Sequence, residues 1–329
     1  MRSTRACTPE TTKVLLLKGG TSGERSISLI SAQAVAQALR AQGFPVTEVD
    51  TGADGYLRAI AQSNADVVYI CLHGKYGEDG TVQGLCELLG KPYVGPGVLA
   101  SALAMDKARS KACYIANGLA TPRSIVLGRG EAYDPQAIVD VVGDKCVVKP
   151  ATEGSALGVS IVHGKDELTA AIDAALAIDT VALVETFIKG TEVTVGVLGN
   201  QDPQALPVVE IVPGNEFYDF DAKYSAGGSK HICPARLSPE ATAECQRMSV
   251  KAHEALGCKG VSRSDIIVDE QGVCWLLETN TIPGMTPTSL LPDAARVAGM
   301  DFQALCRYLI ELALEEHKGR MDAQARIRP

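Results

Sequence analysis

Val273-Cys274-Trp275-Leu276-Leu277-Glu278-Thr279-Asn280-Thr281-Ile282-Pro283-Gly284-Met285 begins as an apolar run of strand-forming residues and ends in polar and turn-forming ones. In an extended chain, side chains two apart point to one face, so Glu278 and Asn280 project together from the strand end. Just upstream, Gly260-Val261-Ser262-Arg263-Ser264-Asp265-Ile266-Ile267-Val268 carries Arg263 and Asp265 in the same relation. Between the two runs, Asp269-Glu270-Gln271-Gly272 reads as a hairpin turn. Pairing of the strands lets Asp265, Glu278 and Asn280 converge. Three hard oxygen ligands without His or Cys suit Mg²⁺ or Mn²⁺ rather than Zn²⁺. Mg²⁺ held by a few carboxylates usually takes phosphate oxygens as well, which points to a nucleotide. Taken alone, the same residues also read as hydrated strand ends beside a turn.

The chain has 329 residues, 46% hydrophobic and 21% charged, the composition of a globular protein with a sizeable core. By length it has room for roughly two or three domains. Its net charge of 31 − 39 = −8, with no basic run, argues against electrostatic binding of nucleic acid. No apolar stretch approaches the ~18 residues of a membrane span. Residues 1–12 hold two arginines and no apolar run, and read as a loose tail rather than a secretory signal. The ten cysteines include no C-x-x-C pair and most lie in apolar segments, so reduced thiols in a cytoplasmic protein are expected.

Elsewhere short apolar runs alternate with helix-period segments. Residues 13–18 form a strand that ends in Gly19-Gly20-Thr21-Ser22-Gly23-Glu24, and a helix follows to about Gly43. The glycines fall as G-G-x-x-G, not as the G-x-G-x-x-G of a dinucleotide site, which disfavours a hydride-transfer dehydrogenase. Glu24 at the helix start either caps the helix or binds a substrate ammonium. Residues 66–72 form a strand ending in His73-Gly74-Lys75-Tyr76-Gly77-Glu78-Asp79-Gly80. Both loops lie at strand carboxyl ends, where α/β sheets bind ligands, and His73 is structural or functional on that basis. A helical stretch over 101–117 contains Lys107, a solvated charge or a phosphate contact. Residues 145–150 form a buried strand with Lys149, followed by the small-residue loop Ala151-Thr152-Glu153-Gly154-Ser155-Ala156-Leu157-Gly158. A lysine before such a loop suits phosphate binding by backbone N–H groups, although no P-loop motif occurs. A strand over 181–188 carries Glu185 beside an apolar wall, as an adenine and ribose pocket requires. Residues 213–236 read as one long loop, a functional lid or a disordered segment, with Lys223-Tyr224 inside it. Helices over 239–256, near 289–298 and over 302–316 follow, and 318–329 reads as a loose tail.

Six blocks, in order, resemble the D-alanine–D-alanine ligases of the ATP-grasp superfamily over about residues 13–314. They are Gly19-Gly20-Thr21-Ser22-Gly23-Glu24-Arg25, Leu72-His73-Gly74-x-x-Gly77-Glu78-Asp79-Gly80, Met105-Asp106-Lys107, Val148-Lys149-Pro150, Lys223-Tyr224 and Glu278-x-Asn280-Thr281-x-Pro283-Gly284-Met285-Thr286. The resemblance implies an α/β (α+β) ATP-grasp fold. It would comprise an N-terminal parallel-sheet, Rossmann-like substrate domain over 13–105, a central ATP-grasp subdomain over 106–190 and a C-terminal mixed-sheet, metal-binding domain over 191–317. It also implies ATP-dependent ligation of two D-alanines through an acylphosphate, for peptidoglycan precursor synthesis, by a homodimer.

By the same resemblance Asp265, Glu278 and Asn280 hold two Mg²⁺ (or Mn²⁺) ions. Lys107, Lys149 and Lys223 contact ATP phosphates, with Ser155 and Asn280 also on the ATP side. Glu185, Phe187, Ile188 and Glu192 line the adenosine site, Phe187 against adenine and Glu192 on the ribose. Glu24 holds the ammonium of the first D-alanine, with His73 nearby. Arg263 and the Gly284 N–H face the developing oxyanion. Ser289 and the Leu290 N–H, at a helix start, take the carboxylate of the second D-alanine. Ser155, Glu24 and Tyr224 form a hydrogen-bonded link between two loops. Ala156-Leu157 stands where the family more often has Ser-Val, which removes a hydroxyl that backbone N–H groups can replace. Tyr224 goes with D-alanine as second substrate, whereas users of D-lactate tend to have phenylalanine. The rivals are a D-Ala–D-Ser or D-Ala–D-lactate ligase and a non-catalytic nucleotide-binding protein on the same fold. Against the last stand the metal ligands, Arg263 and the three lysines.

Overall fold

The apolar run before the first glycine loop is strand β1 (Val14–Lys18), which lies between β2 (Val46–Asp50) and β3 (Val67–Ile70) in a parallel sheet. The computed structural model describes residues 7–154, 157–213 and 229–327. β1 is covered on both faces, as helices on either side of a parallel sheet require. Val14 and Leu16 pack with α1 (Arg25–Ala41), and Leu15 and Leu17 with α2 (Tyr56–Gln62) and α3 (Thr81–Leu88). The two-residue alternation of a strand thus feeds two cores. β1 and β3 run in the same direction, so the loops that follow them lie side by side, and the Ser22 hydroxyl donates to the His73 carbonyl at 2.7 Å.

The helical stretch expected over 101–117 is two helices, α4 (Val98–Met105) and α5 (Lys107–Ala116). Asp106 breaks them: its backbone is extended, and its carboxylate accepts from the Arg109 N–H at 3.0 Å as the N-cap of α5. A helix-compatible pattern hid a strong capping residue. The cap also starts α5 at Lys107.

A second sheet has the order β4 (Ser124–Gly128), β7 (Val181–Thr186), β5 (Lys145–Pro150), β6 (Ser160–His163), all antiparallel. One face is closed by α6 (Pro135–Val142) and α7 (Gly164–Ile178), against which Cys146 and Val148 pack. Val147 and Lys149 alternate to the other face and line a cavity.

The third sheet forms the cavity's opposite wall. Its order is β11 (Ser229–Ile232), β10 (Val209–Pro213), β8 (Gly190–Gly199), β12 (Gly260–Asp269), β13 (Cys274–Asn280), with β9 (Gln204–Ala205) paired to β8. Every described pairing here is antiparallel, where the resemblance implied a mixed sheet. α8 (Pro239–Ala255), capped by Ser238 with Pro239 in its first turn, packs on β8, β12 and β13. α9 (Leu290–Val297) and α10 (Phe302–Ile327) pack into the same apolar cluster as Val14, Leu16 and Val261, so the parallel sheet and the third sheet share a core. That shared core holds the two strand-end loops over the β12–β13 hairpin.

Three further segments differ from expectation. The loop expected over 213–236 ends in β11, a short polar strand at the sheet edge whose composition carries little strand signal. Residues 214–228 of that segment, Lys223 and Tyr224 among them, lie outside the described residues, as does Ser155. α10 continues through 318–327, expected as tail, and Arg320 in that extension pairs with Glu87 of α3. Within the expected N-terminal tail, Thr11 and Thr12 N–H donate to the Thr8 carbonyl at 3.1 and 2.9 Å, and Thr12 is buried. Among the described residues no helix is long and apolar enough to cross a membrane.

Candidate active site

The hairpin forms as its alternation requires. β12 and β13 pair with Arg263 opposite Asn280 and Asp265 opposite Glu278, and the register shifts by a bulge just after Asp265. Arg263 Nε and Nη2 donate to the two Asp265 carboxylate oxygens, each at 3.0 Å, and the Thr194 hydroxyl from β8 donates to Asp265 Oδ1 at 2.5 Å. Glu278 Oε2 lies 3.4 Å from Lys107 Nζ. Asn280 Oδ1 accepts from the Ile282 N–H at 2.8 Å. Among the described residues no group of three or more His, Cys, Asp and Glu side chains is placed to hold a metal ion. The set expected here has two carboxylates and an amide.

Two cavities meet at this hairpin. The smaller, about 120 Å³, is lined by Glu24, His73, Lys107, Arg263, Asp265, Glu278, Asn280, Gly284, Ser289 and Leu290. The larger, about 500 Å³, lies between the two antiparallel sheets and is lined by Lys107, Lys149, Glu185, Phe187, Ile188, Glu192, Asp265 and Glu278. Lys107, Glu153, Asp265 and Glu278 belong to both walls. Every expected site residue within the described residues therefore lines one cavity or both.

In the smaller cavity Glu24 stands at the N-cap position of α1, but its side chain makes no capping bond. A Cβ on Gly154 would lie 3.1 Å from Glu24 Oε2, and one on Gly74 2.9 Å from it, so three loops close on this carboxylate only because two of them offer glycine. His73 is buried; its Nδ1 lies 3.4 Å from Glu78 Oε1, while Glu78 Oε2 accepts from the Gly74 N–H at 2.9 Å. Burial pulls the His73 pKa down, but the hydrogen bond and charge of Glu78 and the charge of Glu24 outweigh it and raise the value above 6.5. His73 Nε2 is buried with no protein partner. Ser289, at the N-cap of α9, turns its hydroxyl to Thr286, accepting from the Thr286 N–H at 2.9 Å. Of the first turn, the Leu290 and Leu291 N–H groups stand at the helix N-terminus, where an anion is favoured, Pro292 having none and the Asp293 N–H donating to the Ser289 carbonyl at 3.2 Å.

In the larger cavity Glu185 is the hub. Both lysine ammoniums bond its carboxylate, Lys149 on Oε1 and Lys111 on Oε2 at 2.9 Å. Burial raises the Glu185 pKa, yet the charges of Lys149 and Lys111 win and hold it below the usual carboxylate value. Lys145 Nζ sits 3.9 Å from the Phe187 ring centroid, a cation over an aromatic face. Lys107 Nζ donates to the Glu153 carbonyl at 2.6 Å and so ties α5 to the loop after β5.

Sequence reasoning assigned no role to Glu78, Lys111, Glu153, Thr194, Lys145 or His231, which also lines the smaller cavity. Lys111 had a usable signal, since it lies one helical turn from Lys107. Thr194 had none, being one polar residue within an apolar strand.

Two antiparallel sheets clasping a cavity, with a charged hairpin at its floor and a parallel-sheet unit above, define the ATP-grasp class of fold. The family model for the D-ala D-ala ligase C-terminus matches residues 116–311, and that for the D-ala D-ala ligase N-terminus matches 53–96. The chain belongs to the D-alanine–D-alanine ligase family. It is 50% identical over 305 residues to a D-alanine–D-alanine ligase of Syntrophobacter fumaroxidans, covering 92% of this chain and 98% of that one. It is 46% identical over 311 residues to one of Pelotomaculum thermopropionicum, covering 93% and 98%. Among solved structures, the D-alanine–D-alanine ligase of Coxiella burnetii superposes with a TM-score of 0.84 at 28% identity, covering 96% and 97%. The Bacillus anthracis ligase complexed with ATP gives 0.83 at 31%, covering 94% and 100%.

Proposed function

We propose that the chain joins two D-alanines into D-alanyl-D-alanine with conversion of ATP to ADP and phosphate, for peptidoglycan precursor synthesis. The observation that carries this reading is the shared wall. A nucleotide in the larger cavity and an amino acid in the smaller would meet at Lys107, Asp265 and Glu278. A carboxylate is a poor acyl donor, so an oxygen of the first D-alanine attacks the terminal phosphorus, ADP leaves and an acylphosphate forms. The amine of the second D-alanine then attacks the acyl carbon, loses a proton and expels phosphate.

The chain's residues take their parts from their places. Glu24 holds the ammonium of the first D-alanine beside His73. Lys107 and Lys149, with Lys223 and Ser155 from outside the described residues, take the phosphates. Arg263 and the Gly284 N–H face the oxyanion of the tetrahedral intermediate, an effect commonly worth ~3 kcal/mol. Ser289 and the Leu290 N–H receive the second carboxylate. Phe187, Ile188, Glu185 and Glu192 surround the adenosine. The oxygen donors Asp265, Glu278 and Asn280 fit two Mg²⁺ or Mn²⁺ ions in chemistry, and such ions would offset charge on the transferred phosphoryl group. The same reading carries the division into units over 13–105, 106–190 and 191–317, a homodimer and a cytoplasmic location.

Incubation with ATP, Mg²⁺ and a panel of D-amino and D-hydroxy acids tests it. Phosphate release and dipeptide formation with D-alanine are expected. Release with none of the panel would remove the enzyme reading, and a strong preference for D-serine or D-lactate as acceptor would redirect it.

A further inference from the structure

Lys111 is the least explained charge in the molecule. Its side chain is 2% exposed, and its Nζ donates to Glu185 Oε2 at 2.9 Å and to the Thr121 hydroxyl at 2.7 Å. A buried ammonium is costly unless fully partnered. Its carboxylate partner already has a second cation, Lys149, on its other oxygen. These three side chains, two ammoniums and one carboxylate, carry a net +1, with Lys149 and Glu185 in the wall of the larger cavity and Lys111 behind it. A single lysine would neutralise Glu185, so a merely compensated carboxylate does not require the second.

We propose that Lys111 is a positioning residue for nucleotide binding: it occupies one oxygen of Glu185, leaving the other to orient Lys149, and keeps this three-residue cluster cationic toward phosphate. The proposal rests on the ligase reading for the identity of the nucleotide. Without Lys111 the Glu185 carboxylate is free to turn both oxygens to Lys149, forming a neutral pair that holds the ammonium back from the cavity. Burial lowers the Lys111 pKa against the pull of Glu185, whereas the charges of Glu185 and Glu278 raise that of Lys149 despite its burial. Lys149 is thus the more firmly charged of the two and the one in the cavity wall. Thr121 gives Lys111 its second acceptor and fixes it away from the cavity.

The test compares wild type, Lys111→Met and Thr121→Val, which keeps all charges and nearly the same shape. For Lys111→Met the KM for ATP is expected to rise by about tenfold, the scale on which outer partners of metal ligands act. Thr121→Val should shift it in the same direction by a few-fold, while kcat and the KM for D-alanine stay within about threefold in both. Proportionate loss of kcat with folded protein, or an unchanged KM for ATP, would make Lys111 purely structural and overturn the proposal. If Lys111→Met does not fold, the Thr121→Val result decides alone. Titration with ATP and Mg²⁺ in the absence of D-alanine separates the two claims. Weakened nucleotide affinity in a protein that ligates nothing would sink only the ligase reading. Unchanged affinity in an active enzyme would sink only the role of Lys111.

Discussion

The smaller cavity is walled by side chains from loops at strand ends, Glu24, His73 and Glu78 among them, whereas the larger lies between two sheet faces and presents Val147, Ile161, Ile267 and Leu277. Their charged contacts differ as well. At the smaller cavity Arg263 pairs with Asp265 within one strand. At the larger, Lys111 and Lys149 share one carboxylate, Glu185. A polar cavity with charges of both signs suits a small zwitterion. A slot with an apolar wall and ammoniums beside it suits a base and its phosphates. Both cavities lie along one face of the hairpin, on which Arg263, Asp265 and Ile267 follow at two-residue spacing: Arg263 lines the smaller, Ile267 the larger and Asp265 both.

Substitutions should separate the two cavities or fail to. Glu278 belongs to both walls, so Glu278→Gln is expected to lower kcat by more than about 100-fold with an unchanged melting temperature, as loss of a group acting in the transition state does. Activity within tenfold of wild type would show that the shared wall is not where the reaction occurs. Phe187 belongs to the larger cavity alone. Base–aromatic stacking is commonly worth ~1–3 kcal/mol, so Phe187→Ala should raise the KM for ATP about tenfold and leave that for D-alanine in place. A matching rise for D-alanine would erase the distinction between the cavities. The smallest effect concerns His73. Its folded-state pKa is raised, so it stabilises the fold fully below about pH 6.5, its ordinary value, and that contribution is lost as pH rises through the folded value. The melting-temperature deficit of His73→Gln should therefore shrink from pH 5.5 to pH 8, by roughly 2 °C or less. A deficit that grows with pH would mean that His73 is held neutral.

Legibility in the sequence followed the same division. Residues 273–285 were readable because a two-residue period fixes which side chains share a face, and β12–β13 pair as that period requires. Glu24 and His73 stood out as charged or titratable groups in glycine loops. The apolar wall of the larger cavity was less distinct: Val147 on the cleft face and Val148 in the core alternate in one strand, and the pattern does not say which face is covered by helices. Lys111 received no role because its partner Glu185 lies 74 residues away. The break at Asp106 has a local cause in its cap, reinforced where the Lys107 N–H meets the Ala151 carbonyl at 2.9 Å. The continuation of α10 past Gly319 is a tertiary outcome, with Arg320 meeting Glu87 on α3.

Ligation by this route requires that a carboxylate in the smaller cavity receive the phosphoryl group of a nucleotide in the larger, across Lys107, Asp265 and Glu278. D-Alanine labelled with ¹⁸O in its carboxylate tests it directly. One labelled oxygen should appear in the phosphate released with ADP for each dipeptide formed. Unlabelled phosphate, or release of pyrophosphate with AMP, would contradict it.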